Sequence, residues 1–272
     1  MGNKNEISVQ SWVENIQSLG KYAFSLSLLQ TELPGISHIA VKSALSRLTK
    51  KGLVVSIHKG YYLIIPPQYK SKGILPPGLY LDALMKALKR PYYLALLNAA
   101  TYHGASHQQP QEFFVVTNFP VLRTTLKKGI KVNYISKKEL PDKLLDIKKT
   151  AAGYLKISNP ILTATDLIQY EKRVGGINRV ATVLSELAEA IKPEAFDDYL
   201  LQNTPVTALQ RLGYLLDKVF DNQALANALY KKLMDNNTSF YRVALKPSAP
   251  IKGFTADEKW KIIINTTIEI DD

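Results

Sequence analysis

The chain has 272 residues and no cysteine, which leaves room for one large domain or two and excludes disulfides, thiolate metal sites and a cysteine nucleophile. Its first ten residues lack the apolar stretch of a secretory signal and no run of 18 apolar residues occurs, so a cytoplasmic protein with no membrane contact is expected. The net charge of +12 is uneven: residues 1–72 carry +6, residues 73–156 carry +8 and residues 157–272 carry −2.

In chain order, residues 8–20 predict a helix whose Val9, Trp12, Val13, Ile16 and Leu19 share one face and whose end is Gly20. Ser25 can cap a second helix that Pro34-Gly35 ends, and Ser37 a third that runs from His38 to about Lys51. Two β-rich runs follow, 53–57 and 61–65, joined by His58-Lys59-Gly60, where the glycine can adopt positive φ. Three helices and a hairpin, with a short turn between the second and third helices, are the order of a winged helix-turn-helix. The proline-rich stretch 66–78 reads as connecting chain. Beyond it, 79–88 and 92–102 read as helices, 112–117, 131–135 and 154–157 as strands, and 138–149 as a short helix. From 159 onward the pattern is helical: 163–170 with a Thr-x-x-Asp start, then 177–191, 195–202, 206–220 and 223–234. It closes on β-rich pieces at 240–245 and 260–270. The expectation is an α+β chain: an N-terminal winged helix-turn-helix domain over 1–70, a linker over 71–78, and a larger mixed α+β domain over 79–272.

The third helix carries the sharpest chemical signal. Val41, Ala44, Leu45 and Leu48 follow core spacing, while Lys42, Ser43, Ser46, Arg47 and Lys50 gather on the other face. Ser37 and His38 stand at its N-terminal end. A recognition helix needs this layout, offering donors to base edges while its first turn points N–H groups at a phosphate. Arg47 is the candidate for a bidentate guanine contact. Lys50, Lys51 and, at the wing tip, His58 and Lys59 are candidates for phosphate or minor-groove contacts. A second basic cluster, Arg123, Lys127, Lys128 and Lys131 and onward to Lys149, could hold flanking DNA backbone or be a solvated face. Clustered cations release condensed counterions on meeting phosphates, which favours a polyanionic partner.

Signals of catalysis are weak, and a non-enzyme without metal or cofactor is expected. His103 and His107 have i, i+4 spacing but no acidic residue between them. Pro141-Asp142 and Asp146-Ile147-Lys148 have the letters of a PD-(D/E)xK nuclease, yet that chemistry needs the second acid and the lysine on a strand, and the segment reads as helical. There is no Walker A sequence, no GxGxxG and no GxSxG.

Four blocks taken together resemble the AbiEi-like antitoxins, regulators of bacterial abortive-infection toxin–antitoxin operons: ALSRLTKKGLVVSIHKGYYLI (44–64), YYLALLNAATYHGASHQQPQEFFVVTN (92–118), ISNPILTATDLIQYEKRVGGINRVATVLSELAE (157–189) and KWKIIINTTIEI (259–270). The resemblance implies an N-terminal domain that binds inverted repeats of double-stranded DNA in its own promoter and represses it. It also implies a C-terminal domain that counters a nucleotidyltransferase-type toxin without a stable complex between the two. The alternative is a winged-helix transcription factor with a ligand-sensing C-terminal domain.

Overall fold

The computed structural model describes residues 8–105, 110 and 112–270. Helix α1, Val9–Ser18, starts where the Ser8 side chain accepts from the Ser11 N–H. It buries Val9, Trp12, Val13 and Ile16, the i, i+3, i+4, i+7 face of an amphipathic helix. Strand β1 (Ala23–Ser25) leads into α2 (Leu26–Glu32), capped by Ser25. Helix α3 (His38–Lys50) is capped by Ser37, whose Oγ accepts from the Ala40 N–H at 3.2 Å. Strands β2 (Val54–His58) and β3 (Tyr61–Ile64) form a hairpin, and β1 pairs with the other edge of β3 to give the order β1-β3-β2. Gly60, at φ +70, closes the turn in a conformation that β-carbon-bearing residues avoid.

The helices pack on one face of this small sheet. Val41, Leu45 and Leu48 of α3 join Val9, Trp12, Val13, Ile16, Phe24, Leu29, Val54 and Ile64 in one core. Within it the Trp12 ring meets Phe24 edge-on, with centroids 5.1 Å apart, and the Trp12 indole N–H donates to Glu32 at 2.7 Å.

The other face of the hairpin is also covered, and here the expectation of a linker fails. Ile74 and Leu75 are buried with Ile57, Tyr61, Leu63, Ile65, Tyr80 and Leu84, and Ile130 packs against them. Residues 71–78 are a strap in a second apolar layer. Prolines pre-set φ without making a chain loose, and two short 3₁₀ turns, Pro67–Tyr69 and Pro77–Leu79, carry the backbone around. Helix α4 (Leu81–Ala87) follows, and its Asp82 accepts from the Tyr92 hydroxyl at 3.0 Å.

Residues 92–102, expected as one helix, are strand β4 (Tyr92–Leu94) and then helix α5 (Leu96–Tyr102). Strands β5 (Glu112–Thr117), β6 (Thr125–Lys127) and β7 (Ile130–Ser136) follow. β5 runs parallel to β7 in the register Glu112↔Lys131 to Thr117↔Ser136, and β6 is antiparallel to β7. The helix expected over 138–149 is absent: a 3₁₀ turn, Asp142–Leu144, leads into strand β8 (Leu145–Thr150), and β9 (Gly153–Ser158) comes next. β4 pairs in parallel with β9 at Leu94↔Ile157. Strand pairing overrides helical propensity in both places, with distant chain for β4 and with the adjacent strand β9 for β8.

Helix α6 (Pro160–Gln169) starts earlier than its Thr-x-x-Asp letters indicated. Asn159 caps it with Pro160 in the first turn, so Thr163 lies inside, its hydroxyl 2.7 Å from that of Ser158. All residues from Ile161 to Ile168 are buried, the signature of a central helix. Around it stand α7 (Ile177–Leu187), α8 (Asp198–Asn203), α9 (Val206–Tyr214), continued by a π-helical turn Leu215–Val219, and α10 (Gln223–Asp235). The β-rich ending reduces to a parallel pair, β10 (Val243–Ala244) with β11 (Ile262–Ile263).

Two compact units gather these elements, and neither is contiguous in sequence. The first comprises residues 1–92, 111–140 and 147–156; the second comprises 93–110, 141–146 and 157–272. In the second, Trp260 is fully buried against Gly213, where any Cβ would overlap its ring. Its indole N–H donates to Asp217 at 2.9 Å, and Lys259 Nζ lies 2.7 Å from the same oxygen.

Candidate nucleic-acid interface

The first unit assembles the basic face that the sequence indicated. On α3, Val41, Leu45 and Leu48 are buried, while Ser37, His38, Lys42, Ser43, Ser46, Arg47, Lys50 and Lys51 are all exposed. Among the described residues, no acid is paired with Lys42, Arg47, Lys50, Lys51 or Lys59. The chain from residue 33 to residue 81 contains no Asp or Glu at all, against seven Lys/Arg. Counting acids rather than cations would have found this signal in the sequence. A face with free cations and no internal counter-charge projects positive potential into solvent, and long-range attraction of a polyanion requires such a field.

With about 3.6 residues per turn, Ile39, Ser43, Ser46 and Lys50 project within about 60° of one another, directly away from the buried stripe. Lys42 and Arg47 flank this central strip, each roughly 70° to one side. Ile39 escaped the sequence reading. It is 78% exposed, on the second residue of the helix, in the middle of the basic face.

The hairpin tip adds Lys59, exposed, and His58, half-buried with Nδ1 3.3 Å from the Lys59 carbonyl. A register shift between Ser56 and His58 bends the strand at the tip. A second tip in the same unit joins β6 to β7 through Lys128 (φ 48) and Gly129 (φ 81), a two-residue turn of the kind that requires positive φ at both positions. Arg123, Lys127 and Lys128 are exposed here. Lys131 differs: its Nζ lies 3.0 Å from Glu112, whose other oxygen accepts from Asn133 at 2.8 Å. The hydrogen bond from Lys131 outweighs burial and, with that from Asn133, holds the Glu112 carboxyl below its ordinary value.

The catalytic candidates do not come together. His103 is bound through Nε2 to the Ser158 carbonyl at 2.7 Å, and His107 lies outside the described residues. Asp146 and Lys148 do lie on a strand, contrary to the helical expectation, but Asp142 precedes them by a single 3₁₀ turn. Among the described residues, no three His, Asp or Glu side chains are grouped as metal ligands. Nor is any helix of the described residues long and apolar enough to cross a membrane.

The crystal structure of the RV2827C protein from Mycobacterium tuberculosis matches with a TM-score of 0.67 over 93% of this chain and 89% of that one, at 18% identity, which shows a shared fold. No curated protein matches the sequence. Residues 93–218, which end in the π-helical turn that holds Asp217, match the family model of the AbiEi antitoxin C-terminal domain, so this part of the chain is an AbiEi-like antitoxin domain.

Proposed function

We propose that the first unit binds double-stranded DNA as a winged helix-turn-helix, and that the protein represses its own toxin–antitoxin operon while countering a nucleotidyltransferase-type toxin. The observation that carries DNA binding is the outward face of α3, rich in unpaired cations and free of acids, next in sequence to a hairpin with Lys59 at its tip. In this reading α3 lies in the major groove, Arg47 pairs with a guanine, and Lys50, Lys51, His58 and Lys59 hold backbone phosphates. Arg123, Lys127 and Lys128 extend the contact to flanking DNA, and Lys131 contributes least because Glu112 already neutralises it.

Two measurements test the reading. The full chain should select inverted repeats from DNA upstream of its own gene, and should lower a reporter driven by that DNA. Co-expression should relieve the growth arrest caused by the neighbouring toxin gene without a complex that survives gel filtration. Absence of any sequence preference would refute the repressor half; absence of rescue would refute the antitoxin mechanism as stated.

The ligand-sensing alternative has one supporting feature in the second unit. An open surface pocket of about 430 Å³ is lined by Tyr214, Lys218, Leu245, Phe254, Ile264 and Thr266 among others. A small molecule that shifts operator affinity in the wild type, and not in Phe254→Ala, would favour that reading.

A further inference from the structure

We propose that Ile39 reads the 5-methyl group of a thymine, and so contributes apolar sequence specificity to a face otherwise made of cations and hydroxyls. The inference rests on the DNA-binding reading above.

Scattered exposed apolar residues are ordinary on soluble proteins. Position is what separates Ile39 from them. It is the second residue of α3 and 78% exposed, and the N-terminal residues of a recognition helix are the ones that reach base edges. On the wheel it falls in the central strip with Ser43 and Ser46, facing the groove floor, with Lys42 on one flank and the guanine-reading Arg47 on the other; Lys50 is in line with the strip but in the last turn of the helix, where the phosphate backbone is the nearer partner. Ser43 and Ser46 are short, so they let the helix approach closely and leave Ile39 as the bulky apolar group of that strip. In the major groove the thymine methyl is the apolar mark among hydrogen-bonding edges. A branched aliphatic side chain held there without cover has that group as its natural complement.

The charge of the surroundings argues against a protein occupant of this strip. A groove-binding helix of a partner would have to meet Lys42, Arg47, Lys50 and Lys51, which carry no counter-charge among the described residues. DNA supplies both the phosphates for those cations and the methyl for Ile39.

The test uses the full chain and a duplex selected by it from a random double-stranded pool. Each thymine of that duplex is replaced singly by deoxyuridine, which lacks only the methyl. At one or two positions the replacement should weaken wild-type binding about fourfold, the effect of one buried methyl. Ile39→Ala should bind the all-thymine duplex several-fold more weakly and lose its response at those same positions, while Ile39→Val keeps part of it. Far-ultraviolet circular dichroism should match the wild type, because the side chain packs against no core. The inference is overturned if no thymine responds, or if Ile39→Ala keeps the wild-type uridine profile. In either case selection itself has succeeded and DNA binding stands. If neither protein selects any sequence, the DNA reading falls and this inference with it.

Discussion

Removing the carboxylate of Asp217 should loosen the C-terminal segment from the matched antitoxin domain, and the cost can be worked out group by group. The Asp217 side chain is 3% exposed and receives the Trp260 indole N–H at 2.9 Å and Lys259 Nζ at 2.7 Å, with Lys218 at 3.3 Å. Asp217→Ala leaves a fully buried indole donor without an acceptor, at about 1–3 kcal/mol. Lys259 and Lys218 are 29% and 46% exposed, so water takes over their solvation and each adds about 1 kcal/mol at most. The total is about 1–5 kcal/mol, or a fall of about 2–20 °C in Tm. Asp217→Asn keeps an acceptor for the indole and should cost roughly 1 kcal/mol. The assay is thermal unfolding followed by selectively excited tryptophan fluorescence in a Trp12→Phe background, where Trp260 is the one tryptophan remaining and reports on the second unit.

The pH dependence of that cost has a definite sign. Burial pushes the Asp217 carboxyl up, but hydrogen bonds from Lys259, Trp260, Gln223 and Lys218 outweigh it and hold the group well below the usual carboxylate range. Such a group contributes its full stability above its unfolded value of about 3.9 and loses it as pH falls through the folded value. The gap between wild type and Asp217→Ala should therefore be constant from about pH 8 to 5 and narrow below about pH 4. An alanine variant within about 0.5 kcal/mol of wild type, or an asparagine variant costing as much as alanine, would refute the assignment of Asp217 as the acceptor that anchors Trp260.

Leu75→Ala should destabilise the first unit by about 2–5 kcal/mol in urea unfolding, because the side chain is fully buried; a free tether would give almost no change. Gly213→Ala should cost about 3 kcal/mol or more, since the new methyl overlaps a Trp260 ring already stacked on Phe240; the same tryptophan fluorescence reads it. Arg47→Ala should lose about 1–3 kcal/mol of operator affinity and relax preference at one base pair, measured by competition gel shift.

The N-terminal helices and hairpin were legible because their signals are local. Ser8, Ser25 and Ser37 each cap a helix within three residues of the N–H they accept from, and the spacing of Val41, Leu45 and Leu48 marks the buried stripe by itself. The strap at 71–78 was misread because its proline content is local, while the burial of Ile74 and Leu75 depends on a hairpin face supplied by Ile57, Tyr61 and Leu63. The strand at 92–94 was hidden for a similar reason: Leu94 finds its partner at Ile157, sixty-three residues away. The strand at 145–150 pairs with the adjacent β9, and its helix-like periodicity concealed that local hairpin. At the candidate interface the cations were visible and two features were passed over. One is the acid-free stretch from 33 to 81, which simple counting reveals. The other is Ile39, whose apolar letter blends into an amphipathic helix until its angular position is worked out.

The most direct test of DNA recognition by α3 and the hairpin tip is operator binding by fluorescence anisotropy across a salt series. Wild-type affinity should fall steeply with salt. Lys59→Ala should lower the slope of log K against log salt by roughly one unit, the loss of one phosphate contact, and weaken all sequences evenly. An unchanged slope and affinity in Lys59→Ala, together with unchanged affinity in Arg47→Ala, would show that this face does not meet DNA.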